Sequence, residues 1–310
     1  MTIFVSVASY RDKELYNTLK NAIETAHYPK EIRFGVIYQG TSRELPDLSF
    51  LNNKTVVEIS PRNAKGVGFA RSKAMDLYDG EDYFLQIDSH TQFEKGWDTT
   101  CIKELNALER VSQKNILSAY PLPYTDLGPN KTVLLNTSYG NKLPTHTTKH
   151  SLSIREDGVS WGAKRVLFEN PKDFIPEKSN TVLAGFIFAR GSIVKEIPYD
   201  PEISFFGEEV CFAMRAWTRG YEIYSPKVKI LYHHYSRPYS PKIWQERAVI
   251  REIPWDGLQE ISREKQRKVL CGIESGIFGA GDVRSLSDYE SFAGYNFKKF
   301  YASQDKEVKK

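Results

Sequence analysis

The sequence predicts an α/β fold, a mixed and mainly parallel sheet flanked by helices. Two observations carry this. Over the first hundred residues short apolar runs alternate with helix-patterned stretches, the rhythm of right-handed βαβ units. Several of those runs also stop abruptly in polar residues, as strands do where an open α/β sheet forms its ligand crevice. With 310 residues, 40% hydrophobic and 26% charged, the chain can bury a substantial core, and disordered and fibrous classes are excluded.

The first strand is the run Ile3 to Ser9, followed by a helix from Asp12. Further strands are expected at Ile32 to Tyr38, Thr55 to Ser60 and Tyr83 to Ile87, with a helix from about Gly66. Between Pro121 and Asn180 the pattern decays into Pro, Gly, Asn and Thr around short pieces such as Thr132 to Asn136, which predicts long loops or a small insertion. Thr181 to Ala189 reads as a buried strand, Glu208 to Trp217 as a helix, and Tyr221 to Tyr235 as a hairpin-like stretch. Ile243 to Leu270 is polar with helical spacing, and the end from Asp305 to Lys310 is expected to fray. The division that follows is a main domain at residues 1–240, with a loop-rich insertion at 121–180, and a helical extension at 241–310.

A net charge of +4 does not demand a nucleic-acid partner and suits an anionic ligand. The three cysteines show no CxxC spacing, which fits reduced, buried thiols. No run approaches the roughly 20 apolar residues of a membrane span, and the N-terminus lacks a basic leader, so a cytoplasmic location without membrane contact is expected.

Three strand ends are expected to converge on one cleft: Ala8 to Arg11, Ser60 to Asn63, and Asp88-Ser89-His90. Asp88 and His90, two positions apart in extended chain, share a side and can hold a divalent ion, although a turn cap explains them equally well. Mixed oxygen and nitrogen ligation suits Mn²⁺. Tyr232-His233-His234-Tyr235 follows another apolar run. Adjacent strand residues face opposite ways, so one of these histidines reaches the cleft as a third ligand. Gly66-Val67-Gly68 opens a helix, either to cradle phosphate beside Arg71 or as a close-packed helix start. Glu208 and Glu209 either favour a helix dipole or position an acceptor hydroxyl. Trp97, Trp161 and Trp217 either stack on sugar or fill the core. There is no evident Ser-His-Asp set or hydrolase carboxylate pair.

The motifs VSVASYRD, GVGFARSKAMDLYDGEDYFLQIDSHTQFEKGWD, FFGEEVCFAMRAWTRGYEIYSP, LYHHYSR and GDVRSLSDYESFAG together resemble, over nearly the whole chain, the enzymes that add N-acetylglucosamine to hydroxyproline of a ubiquitin-ligase adaptor, with their bacterial and viral relatives. A more distant similarity runs to the polypeptide N-acetylgalactosaminyltransferases. Their Asp-Ser-His followed by Gly-Trp is similar to Asp88-Ser89-His90 and Gly96-Trp97. Their Ala-Gly-Gly and Trp-Gly-Gly-Glu segments are similar to Ala184-Gly185-Phe186 and Phe205-Phe206-Gly207-Glu208.

The resemblance implies a Rossmann-like GT-A fold and retaining transfer from a UDP-sugar, N-acetylglucosamine or another hexose or pentose, to a hydroxyl on protein or saccharide, with Mn²⁺ or Mg²⁺. In that mechanism the acceptor attacks from the face of the departing diphosphate, which takes the proton. The resemblance also implies that Asp88, His90 and His234 hold the metal. His234 is favoured over His233 because its interval to Arg237 reproduces the family's. Ser9, Tyr10 and Arg11 would line the uridine site, Gly66 and Arg71 the diphosphate, and Gly185 and Trp97 the donor, while Glu208 and Glu209 would face sugar or acceptor. Phe186, where the comparison has glycine, would narrow the donor pocket. Two other readings are a viral-type transferase acting on hydroxylated or hydroxymethylated cytosine in DNA, and a non-catalytic nucleotide-sugar-binding module. The oligomeric state is left open.

Overall fold

Strand β1 (Ile3–Tyr10) is apolar on both faces, so it must be covered on both sides. In the computed structural model, which describes residues 1–126, 133–135, 152–155, 158–161, 178–246 and 251–307, it lies deep in a large sheet. The chain continues through α1 (Leu15–Thr25), β2 (Ile32–Gln39), β3 (Lys54–Ile59), α2 (Val67–Met75), β4 (Tyr83–Asp88), β5 (Thr91–Phe93), α3 (Trp97–Leu108) and β6 (Asn115–Ser118). Short strands follow: β7 (Leu122–Asp126), β8 (Val133–Leu135), β9 (Leu152–Arg155), β10 (Gly158–Trp161) and β11 (Lys178–Ser179). Then come β12 (Phe186–Arg190), α4 (Ile193–Glu196), α5 (Glu208–Thr218), β13 (Glu222–Tyr224), β14 (Leu231–His233), α6 (Trp255–Leu270), α7 (Leu286–Ala293) and α8 (Phe297–Glu307).

The large sheet has the order β11-β13-β6-β12-β4-β1-β2-β3. Its β4-β1-β2-β3 half is parallel, and β12 runs antiparallel between β4 and β6. Period-two alternation sorts the apolar residues to two cores. Ile3, Val5, Val7, Leu85 and Ile87 pack under α1 and α3, against Leu19, Trp97 and Leu105. Phe4, Phe84 and Ile187 pack against Phe212 and Ala216 of α5. Each such burial stabilises the fold by about 1.5–3 kcal/mol. The far side of α5 carries Val210 and Met214 into a third core with Leu270, Tyr289 and Phe297 of the last helices.

A smaller sheet, β5-β14-β7-β8, sits beyond the end of β4. Its ladder pairs His233 with Thr91, directly after His90, and so ties two distant segments together at the strand end.

The α/β reading holds, with local corrections. Tyr221 to Tyr235 is not a hairpin: β13 joins the large sheet and β14 the small one, because Pro226 and the residues after it carry the chain from one to the other. The Thr181 to Ala189 run is extended only from Phe186, since a Leu183–Phe186 bridge closes a turn before it. The first helix starts at Leu15 because the Asp12 side chain accepts the Glu14 N–H and ends the strand. Helix α6 starts at Trp255, behind Pro254, and α8 runs to Glu307, with the rest of the end expected to fray lying outside the described residues. Most of the expected loop-rich insertion lies outside the described residues. Among those described, no helix is long and apolar enough to cross a membrane.

Candidate active site

The C-terminal ends of β1 and β4 are neighbours, and a cleft of about 370 Å³ opens beyond them. Its walls come from Ala8, Tyr10 and Asp12, from 88–90, 184–185 and 205–210, and from His233, Arg237 and 241–244.

At its floor Asp88, His90 and His233 bring one carboxylate oxygen and two imidazole nitrogens within 4.8 Å of one another. Asp88 Oδ2 lies 3.0 Å from His233 Nε2 and 3.8 Å from His90 Nε2. His90 Nδ1 faces Asp12 Oδ2 at 2.8 Å, an arrangement that puts the proton on Nδ1 and leaves Nε2 as a donor atom. Burial, and then the neighbouring His233, push the His90 pKa down to about 4, so the ring is neutral, the form that binds metal. Burial works against ionisation of Asp88, but the His233 hydrogen bond and the Arg71 charge outweigh it and hold the carboxyl well below its ordinary range. One oxygen and two nitrogens fit a borderline divalent cation. The His233 Nδ1 atom is buried without a hydrogen-bond partner among the described residues, so hydrogen bonding at that nitrogen does not fix which way the ring faces.

His234 is not part of this group. It faces the other side of β14, with its ring 5.1 Å from that of Tyr124 and its Nδ1 3.2 Å from the Tyr239 hydroxyl. The ladder register opposite Thr91 decides which histidine faces the cleft, and the interval to Arg237 does not.

Behind Asp88, Arg71 is only 3% exposed. It donates to Asp88 Oδ1 at 2.7 Å and to Glu208 Oε1. Arg71 is therefore committed to two carboxylates, a clamp on the site rather than a free cation for a diphosphate. Glu208 Oε2 is buried without a partner among the described residues, and burial raises the Glu208 pKa. Glu209 accepts the Ala184 N–H at 2.8 Å. Burial and then Glu208 raise its pKa to about 7, as expected of two carboxyls that resist ionising together.

Tyr10, Gly66 and Gly185 line the cleft, and a Cβ at Gly185 would stand 3.3 Å from Asp88 Oδ2. Several other expectations fail. Ser9 is fully buried on the opposite face of β1, since it lies between Ala8 and Tyr10. Arg11 turns away to bind Glu44 and Glu246. Of the two readings of Gly66-Val67-Gly68, the contacts favour the close-packed helix start: Val67 N–H donates to Ser204 O at 2.7 Å, and a Cβ at Gly68 would stand 2.2 Å from Ile203 O. Trp97 is a core residue whose Nε1 donates to Ala22 O at 2.8 Å. Trp217 packs against Tyr289 and Phe292, and the Trp161 side chain lies outside the described residues. Phe186 belongs to the core and does not narrow the cleft. Residues 60–63, just past the end of the edge strand β3, do not line it either.

The sequence reading missed Asp12, Arg237, Lys242 and Trp244. Asp12 was visible as a carboxylate just past a strand end. Trp244, 39% exposed and 4.8 Å from the Phe205 ring, sat in a polar stretch that gave no signal.

An α/β sheet of this order, with carboxylate and imidazole donors gathered beyond its parallel strands, defines a GT-A fold with a candidate metal centre. The family model for glycosyltransferases (GlcNAc) matches residues 2–56 and 48–299, and the chain belongs to that family. No curated protein matches it. Among solved structures, GalNAc-T7 with UDP, GalNAc and Mn²⁺ aligns at a TM-score of 0.54 and 15% identity, over 99% of this chain and 57% of that one. The S. aureus TarS structure aligns at 0.45 and 16%, over 86% and 44%. A shorter TarS chain in complex with UDP-GlcNAc gives 0.44 and 15%, over 86% and 73%. The chain thus spans little more than half the length of GalNAc-T7, and the likeness is one of fold.

Proposed function

We propose that the chain transfers a sugar from a UDP-sugar to a hydroxyl acceptor, with Asp88, His90 and His233 holding Mn²⁺ or Mg²⁺. The convergence of these side chains beyond β1 and β4 carries the reading. When bound, the ion supplies Lewis-acid stabilisation of the departing diphosphate. Tyr10 forms the nucleobase wall, held by the bond its hydroxyl donates to Glu246 Oε2 at 2.5 Å. Lys242 gives the cleft the cationic charge that Arg71 and Arg237 have committed to carboxylates. Trp244 offers a stacking face for donor or acceptor, and Glu208 and Glu209 face the acceptor side.

Retention belongs to the same reading: the acceptor oxygen bonds to the anomeric carbon as the bond to diphosphate breaks on that face, and the proton passes to the diphosphate. The resemblance to hydroxyproline-modifying enzymes favours N-acetylglucosamine as the sugar and a protein hydroxyl as acceptor, with a saccharide as the other member of that class. Residues 1–240 then form the catalytic domain, and the extension at 241–310 lends Pro241 to Trp244 to its cleft.

The test is a screen of UDP-sugars with Mn²⁺, following UDP release with and without chelator and with hydroxyproline peptide, glycan or hydroxymethylcytosine DNA as acceptor. Chelator-sensitive release from one donor supports the reading, and the acceptor that accelerates it names the class. Acceleration by the DNA alone would replace the protein-acceptor reading. No release from any donor would leave a binding module.

A further inference from the structure

Arg11 turns the chain through a left-handed φ of 48°, and Asp12 drops beneath the cleft almost fully buried. Its Oδ2 accepts from Ser89 Oγ at 3.1 Å, from His90 Nδ1 at 2.8 Å and from Arg237 Nη1. Its Oδ1 accepts from the Glu14 N–H at 3.0 Å and Ser240 Oγ at 3.3 Å. These donors belong to separate stretches: the start of α1, the link between β4 and β5, and the segment after β14.

We propose that Asp12 is a positioning residue that couples the divalent-cation site to the wall of the donor cleft. This rests on the reading of Asp88, His90 and His233 as cation ligands. One half of the coupling is the bond to His90. It fixes the proton on Nδ1, aims the Nε2 lone pair at the space beside Asp88 Oδ2, and makes the imidazole a stronger donor. The other half is the grip on Arg237 and Ser240, from which the chain runs directly into Pro241 to Trp244 on the cleft wall. Asp12 is almost fully buried, so losing its partners on one side leaves a carboxylate poorly compensated, and a change on either side is felt on the other. An amide at position 12 keeps the shape but has no charge for Arg237, and it can turn its NH₂ towards His90.

The experiment uses the full chain and Mn²⁺ alone, with no nucleotide. Asp12→Asn should weaken Mn²⁺ binding, read by the electron paramagnetic resonance of the free ion, by about 10- to 100-fold. Hydrogen exchange over residues 237–244 should quicken in the same variant. Wild-type affinity, or slow exchange beside weakened affinity, overturns the coupling. Because the variant can fail to fold, the unsubstituted protein gives a second readout: the ¹⁵N shifts of the His90 ring should show a protonated Nδ1, and a protonated Nε2 overturns the proposal. If His233→Ala weakens Mn²⁺ binding and Asp12→Asn does not, the coupling falls and the cation site stands. If neither variant changes it, the cation site falls and takes the coupling with it.

Discussion

The ends of β3 and β4 look alike in the sequence: each is an apolar run that breaks into polar residues, Ser60 to Asn63 in one and Asp88 to His90 in the other. In the fold they differ completely. β4 lies between β1 and β12 and is buried along almost its whole length, whereas β3 is the edge strand and has only half-buried and exposed positions. The end of β4 floors the cleft, and the end of β3 does not touch it. Rank within the sheet decides which strand end becomes a site, and the local pattern does not carry that information.

The sharpest break in this comparison is Asp88→Ala against Arg62→Ala. The first should lower donor turnover by about 10³-fold, several kcal/mol of lost stabilisation. The second, at the edge-strand end, should leave turnover near wild type. Equal losses in steady-state assays would end the distinction between the two strand ends.

A smaller effect separates the adjacent histidines. His233→Ala should weaken Mn²⁺ affinity by about 100-fold, measured by calorimetry, while His234→Ala should keep the affinity and lower thermal stability by loss of its Tyr124 contact. The reverse pattern would restore His234 as the ligand.

Smaller again is the contrast between tryptophans. Trp244→Ala should raise KM for donor or acceptor by about tenfold, about the worth of one aromatic contact, with little change in melting temperature. Trp97→Phe should lower the melting temperature and leave KM unchanged, since Trp97 is core.

The smallest effect is a pH trend. Glu209 titrates near 7 in the fold against 4.5 for the free group. Folding therefore gains from its retained proton below 4.5, and that gain disappears as pH rises through 7. Glu209→Gln should consequently gain melting temperature relative to wild type as the pH is raised across that window. Parallel curves for the two proteins would show that the burial of Glu209 is relieved in solution.

Much of the fold was legible because it is written locally. Ile3 to Val7 and Ile32 to Tyr38 are largely apolar runs, broken only by Ser6 and by Arg33 and Gly35, that have few alternatives to a doubly covered strand. Asp88 and His90 were legible for the same reason, as chemistry attached to such a run. What escaped was set by partners far along the chain. The choice of His233 depends on a ladder with Thr91, the commitment of Arg71 depends on Glu208, and the failed hairpin depends on Glu222 to Tyr224 finding β6. Ser9 is a different case, since strict alternation from Tyr10 would have assigned it to the opposite face.

The bond between Asp12 and Arg237 closes a stretch of 225 residues, and that between Asp88 and His233 one of 145. Loops of that size close late, after the local βαβ units have formed. As the chain leaves the ribosome, β1 to β4 can assemble early while the ligand set stays incomplete until β14 pairs with β5. Competence to bind an ion is then a late reporter of folding, arriving after most of the secondary structure.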